Sequence, residues 1–453
     1  MKKGTPLRLT IDRLTFPAQG LVNHEDRVFQ LDGFFPGETV EGTFAGSRRR
    51  RSRLYQPKLV EARPDSVKPA CQHFGLCGGC ISQHLSLCTQ RRFKHQVVLD
   101  LFRRAELDIP EHIPILGLSR KYDYRNKMEF NFGDAELGGS LSLGMYQKNH
   151  GFNVIDTTGC RLVNQDMNMI RDFSVQYFRE QKLPFYRWIS QEGYLRHLVV
   201  RHSRFGKELM VNLVTTTQMT VDLSAWVEGL KRLPLKDKLA SIWHTENDTI
   251  ANIVQPDRMI LLDGKETITE YLHGLQFEIS PMAFFQTNSA AAEFLYSRVM
   301  DMMSDVHLAL DLYCGTGTIT QMIAKKANRV IGVELVDEAV QAARQSSEKN
   351  GIGNVKFYSG DVKDIVAELD EPVDMIIVDP PRAGLMTKVV DRLMEIAPSQ
   401  IIYVSCNPKT LAIDLVRMEG YKIERMELID MFPNTPHVEA IVLMSRKQHS
   451  KDQ

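Results

Sequence analysis

No stretch of the sequence stays apolar for the ~18 residues that a membrane-spanning helix needs, so no membrane partner is expected. Residues 1–15 carry two lysines but no long apolar run, which argues against a signal peptide. Internal repeats and low-complexity linkers are lacking too. Charge of one sign is not in excess: 56 Lys and Arg stand against 56 Asp and Glu, so composition alone gives no pull toward nucleic acid. The seven cysteines are odd in number and unevenly spaced. That speaks against a secreted disulfide framework and for metal or catalytic roles in a reducing, cytoplasmic setting. At 453 residues the chain exceeds one ordinary domain, and two or three are expected. Nothing points to an obligate oligomer, and a monomer is the default.

The charge is balanced but not evenly spread. Residues 1–108 hold 18 Lys/Arg and 11 Asp/Glu, a net of +7; the remainder holds 38 and 45, a net of −7. The basic excess peaks at Arg48, Arg49, Arg50, Arg51 and Arg53. A like-charged cluster repels itself unless an anion relieves it, so these arginines are candidate phosphate ligands. The plainer alternative is a solvated loop. Around them Leu7–Leu14, Arg27–Leu31, Val40–Phe44 and Lys58–Ala62 read as short strands between turn residues. They imply a small β-barrel over residues 1–64. Residues 65–280 read as a mixed α+β region. It opens with a cysteine-rich stretch, Cys71 to Cys88, and a helix over 89–107 that is a candidate to pack on the C-terminal domain. Strands follow at Lys127–Phe132, His197–Val200 and Val211–Thr215, with a helix over Asn164–Gln181.

Residues 281–453 alternate between apolar strands and helical segments. The strands are Leu308–Leu312, Arg329–Val333, Lys356–Tyr358, Met375–Val378 and Ile401–Val404. Continuous apolar strands spaced by helices imply a doubly wound parallel sheet covered on both faces. The first strand runs through Asp311 into a glycine turn ending at Thr318, with a helix expected over Ile319–Ala327. Gly315 and Gly317 let the backbone approach a ligand closely. The third glycine of the dinucleotide fingerprint is missing. Glu334 ends the second strand, where a carboxylate accepts from ribose hydroxyls in other doubly wound nucleoside sites. Together these features point to an adenosyl cofactor. Cys314, within the turn, reads as a small buried filler. Asp361, at the exit of the third strand, either meets an adenine amino group or caps the next helix.

Two further strand ends carry chemistry. One is Val378 to Gly384, where Pro380 and Pro381 stiffen an extended exit and project Asp379 into the crevice. The other is Tyr403 to Pro408, where Cys406 ends an apolar strand. A single buried cysteine is more often structural than reactive; position at a crevice strand end reverses that expectation.

With these motifs in order — Phe285, Gln286 and Asn288, then Asp311–Thr318, Asp379–Gly384, Ser405–Pro408, and His437 to Glu439 — the chain resembles the bacterial RNA (uracil-5-)-methyltransferase family over essentially its whole length. The resemblance implies a Rossmann-like methyltransferase domain that binds S-adenosylmethionine. It makes Gln286, Tyr313, Thr318, Glu334 and Asp379 cofactor or site residues, Cys406 the nucleophile and Glu439 the proton acceptor. Many relatives carry Asn at the position of Thr318. Carbon 5 of uracil is a poor nucleophile. A thiolate adding to carbon 6 turns the ring into an enolate with density at carbon 5, and a base must later remove the carbon 5 proton. Asp379, acceptor-only when ionised, would accept from a ring N–H or orient Arg382.

Residues 1–64, with Leu31 to Glu38, resemble a TRAM domain, a small RNA-binding barrel. Tyr124 to Lys127 and Leu195 to Arg201 also look like family motifs, offering cations for phosphates and an aromatic for stacking. The alternative for them is a core tyrosine and a structural ion pair. Cys71, Cys77 and Cys80 place three thiols on one tight loop and need a fourth ligand, with Cys160 or Cys88 as the choices. Spacing does not separate zinc from [4Fe–4S]. The resemblance favours an iron–sulfur cluster on Cys71, Cys77, Cys80 and Cys160, and the 23S ribosomal RNA branch over the transfer-RNA branch. The competing functions are transfer-RNA uridine methylation, nucleobase N-methylation without a covalent cysteine, and a non-catalytic iron–sulfur RNA-binding factor.

Overall fold

The computed structural model describes residues 1–48, 51–251, 253–362, 365 and 371–447. Six N-terminal strands form one sheet in the order Pro6–Thr10, Thr39–Arg48, Arg51–Glu61, Arg27–Asp32, Gln19–His24 and Arg13–Thr15. The sheet curls so that its first strand also reaches Gln19–His24. Leu9, Ile11, Val22, Phe29, Leu31, Val40, Phe44 and Leu54 fill it. The strand Gln19–His24 was hidden by Gly20, which reads as a turn. Its missing side chain instead makes room for a neighbouring backbone: a Cβ there would lie 2.8 Å from the Phe34 carbonyl oxygen. The arginine cluster is no simple loop either. Arg48 lies opposite Arg51 and Gly46 opposite Arg53 on two long paired strands. Arg51 and Arg53 are exposed, while Arg49 and Arg50 lie outside the described residues.

The central sheet runs Val154–Asp156, Leu141–Tyr146, Lys127–Asp134, Leu195–Ser203, Glu208–Thr215, Lys238–Glu246 and Arg258–Gly264. Helices Gln165–Glu180 and Ser224–Lys231 cover one face, burying Phe178 and Trp226 with Phe130 and Leu198. Asn164 starts the first of them by accepting from the Met167 N–H at 2.9 Å.

The C-terminal sheet has the order Val355–Ser359, Ala327–Glu334, Val306–Leu312, Met375–Val378, Gln400–Ser405, Glu439–Arg446, Tyr421–Ile429 and Ile115–Leu116. The first five strands are parallel. The strand order reverses between Val306–Leu312 and Met375–Val378, and a ligand crevice opens at such a switch point. The helix expected to reach Ala327 stops at Ile323, because Ala327 already begins the next strand.

The segment 87–116 comes from the N-terminal quarter of the chain yet packs here. Its helix, Leu87–Arg104, places Val98 and Phe102 in the same buried cluster as Leu308, Leu312 and Tyr403. Its strand, Ile115–Leu116, pairs in parallel with Leu428 and Ile429 at the sheet edge. No helix among the described residues is long and apolar enough to cross a membrane.

Candidate active site

The crevice begins at the glycine turn. Tyr313, Gly315 and Gly317 all have left-handed backbones, at φ 65°, 54° and 75°. A side chain at Gly317 would collide with the Phe357 ring at 2.7 Å, so this glycine is required by packing as well as by its backbone. Cys314 lies against the neighbouring strand at Gly332, the filler role read from sequence. Glu334 holds the turn in place: it accepts from the Gly315 N–H at 3.1 Å and from those of Leu335 and Val336 at 2.9 and 3.0 Å. A carboxylate has about four acceptor positions, so backbone occupies most of this one and leaves little more than one for a ribose hydroxyl. Asp311 is fully buried. Its Oδ2 accepts from the Thr320 hydroxyl at 2.6 Å, while its Oδ1 has no partner. Burial pushes its carboxyl up to about 7. Tyr313 stands close to Asp361 and Glu334, and its phenol is raised by burial and then by Asp361, Asp414 and Glu334. Thr318 is buried at the first turn of the following helix. An orphaned buried acceptor on Asp311 and a left-handed glycine turn whose Gly315 opens onto free space fit an adenosyl group.

Beyond the switch point, strand pairing brings the remaining residues together. Ser405 lies opposite Ala440, and Glu439 lies opposite Ile429. Continuing the Ser405–Ala440 register by one residue places Cys406 directly opposite Glu439 at the end of two adjacent antiparallel strands. The Asn407 side chain turns the chain into the helix Pro408–Arg417, accepting from the Lys409 N–H at 3.2 Å and donating to the Arg382 carbonyl at 2.8 Å. That bond ties the Cys406 exit to the Asp379 exit. Burial, then Glu439 and Asp379, push the half-buried Cys406 thiol up to about 11, with Arg382 opposing them. Burial and then Asp379 push Glu439 up to about 8, opposed by Arg382 and Lys94. Burial pushes Asp379 up to about 7. Three acids in one buried pocket each resist ionisation, and Asp379 and Glu439 are placed to exchange protons near neutral pH.

Gln286 reaches this pocket through Tyr296, whose buried phenol is raised by burial and by Asp379, Asp311 and Glu439, and lowered by a hydrogen bond with Gln286. Tyr296, on the helix Ser289–Met302, was missed because an isolated tyrosine in an apolar helix pattern reads as core. The Asn126 side chain fixes the Gln286 turn, donating to the Gln286 carbonyl at 3.0 Å and the Ser289 hydroxyl at 2.7 Å.

The other central motifs are structural. Tyr124 is buried and donates to the Pro433 carbonyl at 2.7 Å, so it does not stack on a base. Arg196 is buried against the Asn247, Thr249 and Ala251 carbonyls. Arg201 is buried with donation to the Pro281 and Ala283 carbonyls at 3.1 and 2.5 Å.

Cys71, Cys77, Cys80 and Cys160 line one cavity of about 90 Å³, with Arg125 on its wall. Cys88 is exposed on the helix Leu87–Arg104 and takes no part in that cavity. Burial raises Cys77, and lifts Cys80 and Cys160 to about 12 and 11. Among the described residues, no three His, Cys, Asp or Glu side chains already stand in metal-holding geometry.

A family model for tRNA (uracil-5-)-methyltransferases matches residues 260–447. A Clostridium acetobutylicum protein described as an uncharacterized RNA methyltransferase is 42% identical, over 99% of this chain and 99% of that one. The chain belongs to the RNA (uracil-5-)-methyltransferase family. A further RNA methyltransferase of this kind, from Caldanaerobacter subterraneus subsp. tengcongensis, is 37% identical over 98% of this chain and 100% of its own length. The crystal structure of the Pyrococcus abyssi tRNA (uracil-54, C5)-methyltransferase with S-adenosyl-L-homocysteine superposes with a TM-score of 0.77. It is 26% identical and covers 97% of this chain and 100% of its own. Family membership makes this chain an S-adenosylmethionine-dependent RNA uracil-5-methyltransferase.

Proposed function

We propose that this enzyme methylates carbon 5 of a uridine in 23S ribosomal RNA, with Cys406 as nucleophile and Glu439 as proton acceptor. The observation that carries the mechanism is the placement of Cys406 directly across from Glu439, beside Asp379, at one sheet end. The Cys406 thiol gives its proton to a neighbouring carboxylate, and its sulfur bonds to carbon 6. The carbon 5–carbon 6 π pair moves into the ring as an enolate. S-adenosylmethionine, when held by Gln286, Tyr313, Thr318, Glu334, Asp361 and Asp379, supplies an electrophilic methyl group. Glu439 then takes the carbon 5 proton, the double bond re-forms, and the sulfur leaves. A carboxylate whose proton affinity burial has raised is a stronger base once ionised, which suits this last step. Arg382 faces both groups and favours their charged forms.

Substrate choice rests on the family resemblance of the barrel and the cysteine cluster. A second reading, transfer-RNA uridine methylation, is favoured by the archaeal tRNA enzyme, which covers 97% of this chain, barrel included. The deciding experiment maps 5-methyluridine in total RNA from cells with and without the gene. Loss from 23S RNA with unchanged transfer RNA is expected; the reverse pattern transfers the proposal to transfer RNA.

The cysteine cavity fits a four-thiolate group: Cys71, Cys77, Cys80 and Cys160 would hold a [4Fe–4S] cluster, which would fasten the loop at Cys71–Cys80 to Cys160. All four ligands come from protein, which leaves no iron open to a substrate and suits a structural or RNA-orienting group. Anaerobically purified protein is expected to be brown, absorbing broadly near ~400 nm. Cys160→Ser should strip most of the iron and Cys88→Ser none; stoichiometric zinc without iron would refute the cluster.

A further inference from the structure

The loop from Asp430 to Val438 joins the last two strands and delivers Glu439. The N-terminal part of the chain grips it residue by residue. The Lys94 ammonium donates to Asp430 Oδ1 at 2.6 Å and to the Phe432 carbonyl at 3.0 Å. Arg91 Nε reaches Asp430 Oδ2 at 3.3 Å. Gln90 clasps Asn434, accepting from its backbone N–H at 2.7 Å and donating to its Oδ1 at 3.2 Å. Gln90, Arg91 and Lys94 all come from the helix Leu87–Arg104. The Asn434 carbonyl also accepts from Ile81 N–H at 2.9 Å, and Asn288 donates to the Met431 carbonyl at 2.7 Å.

Lys94 is the unusual member. Its side chain is 6% exposed and that of Asp430 fully buried. Burying an ammonium and a carboxylate costs several kilocalories per mole of desolvation, which only close pairing offsets. Packing alone would be served by an apolar side chain between Phe93 and Val97, which line the same small void as Lys94, Pro436 and Val438. The charge therefore has a use beyond filling space. We propose that Lys94 is a positioning residue for the reaction: through Asp430 and the Phe432 carbonyl it fixes the loop that carries Glu439, and its positive charge favours the ionised carboxylate. This rests on reading Glu439 as the proton acceptor.

The groups facing Glu439 are Asp379 and Arg382 from one crevice exit, Cys406 from the next, Tyr296 from the helix Ser289–Met302, and Lys94. His437, on the same loop, faces Arg382, Lys94 and Arg125, and burial first, then these cations, lower it to about 4. A cation beside a carboxylate lowers its proton affinity. Removing the charge of Lys94 therefore raises that of Glu439, already near 8, and moves the acid limb of product release to higher pH.

The test is single-turnover release of methylated RNA as a function of pH, with covalent adduct followed on denaturing gels. Lys94→Met is expected to shift the acid limb up by about one pH unit, slow release roughly tenfold at pH 7, and accumulate adduct. Lys94→Arg should restore the limb. Lys94→Gln keeps a donor for Asp430 without the charge and serves if Lys94→Met does not fold. A purely structural lysine would lower active fraction and melting temperature with the limb unmoved, which overturns the proposal. Glu439→Gln run alongside separates the two ideas. If it traps adduct but the Lys94 variants leave the limb in place, only the role of Lys94 falls; if it traps none, both fall.

Discussion

Replacing Cys406 with alanine should abolish methyl transfer, by more than about a thousandfold, while leaving cofactor affinity nearly unchanged. The reasoning starts from the ring. Without a sulfur bond at carbon 6, carbon 5 carries too little electron density to attack a methyl group, and the other thiol at this sheet end, Cys314, packs against Gly332 in the glycine turn. The cofactor crevice is built independently, from the turn at Gly315 and Gly317, Glu334 and Asp311. It lies on strands whose packing does not involve the Cys406 side chain. Tritium transfer from labelled S-adenosylmethionine into RNA measures the first effect, and calorimetry with S-adenosylhomocysteine the second. Residual turnover within tenfold of the parent would sink covalent catalysis and revive a direct N-methylation reading. Serine at 406 keeps the volume but ionises far less readily, so Cys406→Ser should be as inactive as alanine.

Glu439→Gln should stop the reaction one step later. Addition and methyl transfer do not need a base at carbon 5, so the variant should convert RNA into a covalent protein–RNA adduct. Release should fall by roughly a hundredfold or more, the usual worth of a positioned general base. The adduct survives denaturing electrophoresis and disappears in the double variant with Cys406→Ala. Sign follows from the parent enzyme: Glu439, raised to about 8, is mostly protonated at neutral pH and competent above it. Release in the parent should therefore rise with pH through about 8, and in Glu439→Gln that limb should vanish. Normal release from the glutamine variant would remove Glu439 from the mechanism.

Elements that the sequence showed most clearly are those whose evidence is local. Met375–Val378 is found where its unbroken apolar run places it, and Gln165–Glu180 lies within one residue of its expected ends because Asn164 is a strong cap. Cys71, Cys77 and Cys80 share one cavity with Cys160, the fourth residue that the family resemblance, rather than loop spacing, favoured over Cys88. What the sequence concealed depends on partners far away. Tyr124 and Arg201 look like RNA contacts because Tyr and Arg serve that purpose on surfaces. Their burial is decided by carbonyls at Pro433 and Pro281 that no local pattern announces. Lys94 was hidden in the same way: a lysine between Phe93 and Val97 reads as the edge of an amphipathic helix until Asp430 is placed opposite it. Glu334 shows a subtler failure, since its position was legible but its three backbone donors were not.

The edge strand Ile115–Leu116 and the helix before it set a timetable for synthesis. Lys94 and Asp430 are 336 positions apart, so at ~5–20 residues per second the helix waits about 20 to 70 s for the loop it grips. Val98 and Phe102 meet no partners from the C-terminal sheet until the strand Val306–Leu312 is made, and before that they are exposed to chaperones or to one another. The barrel and central sheet, built from contacts within residues 1–264, are free to form first. The methyltransferase half is then the last to close, around a helix emitted long before it. A fragment beginning at residue 281 would be born without that helix and edge strand, and of the grips described on the loop bearing Glu439 it would keep only the one from Asn288 to Met431.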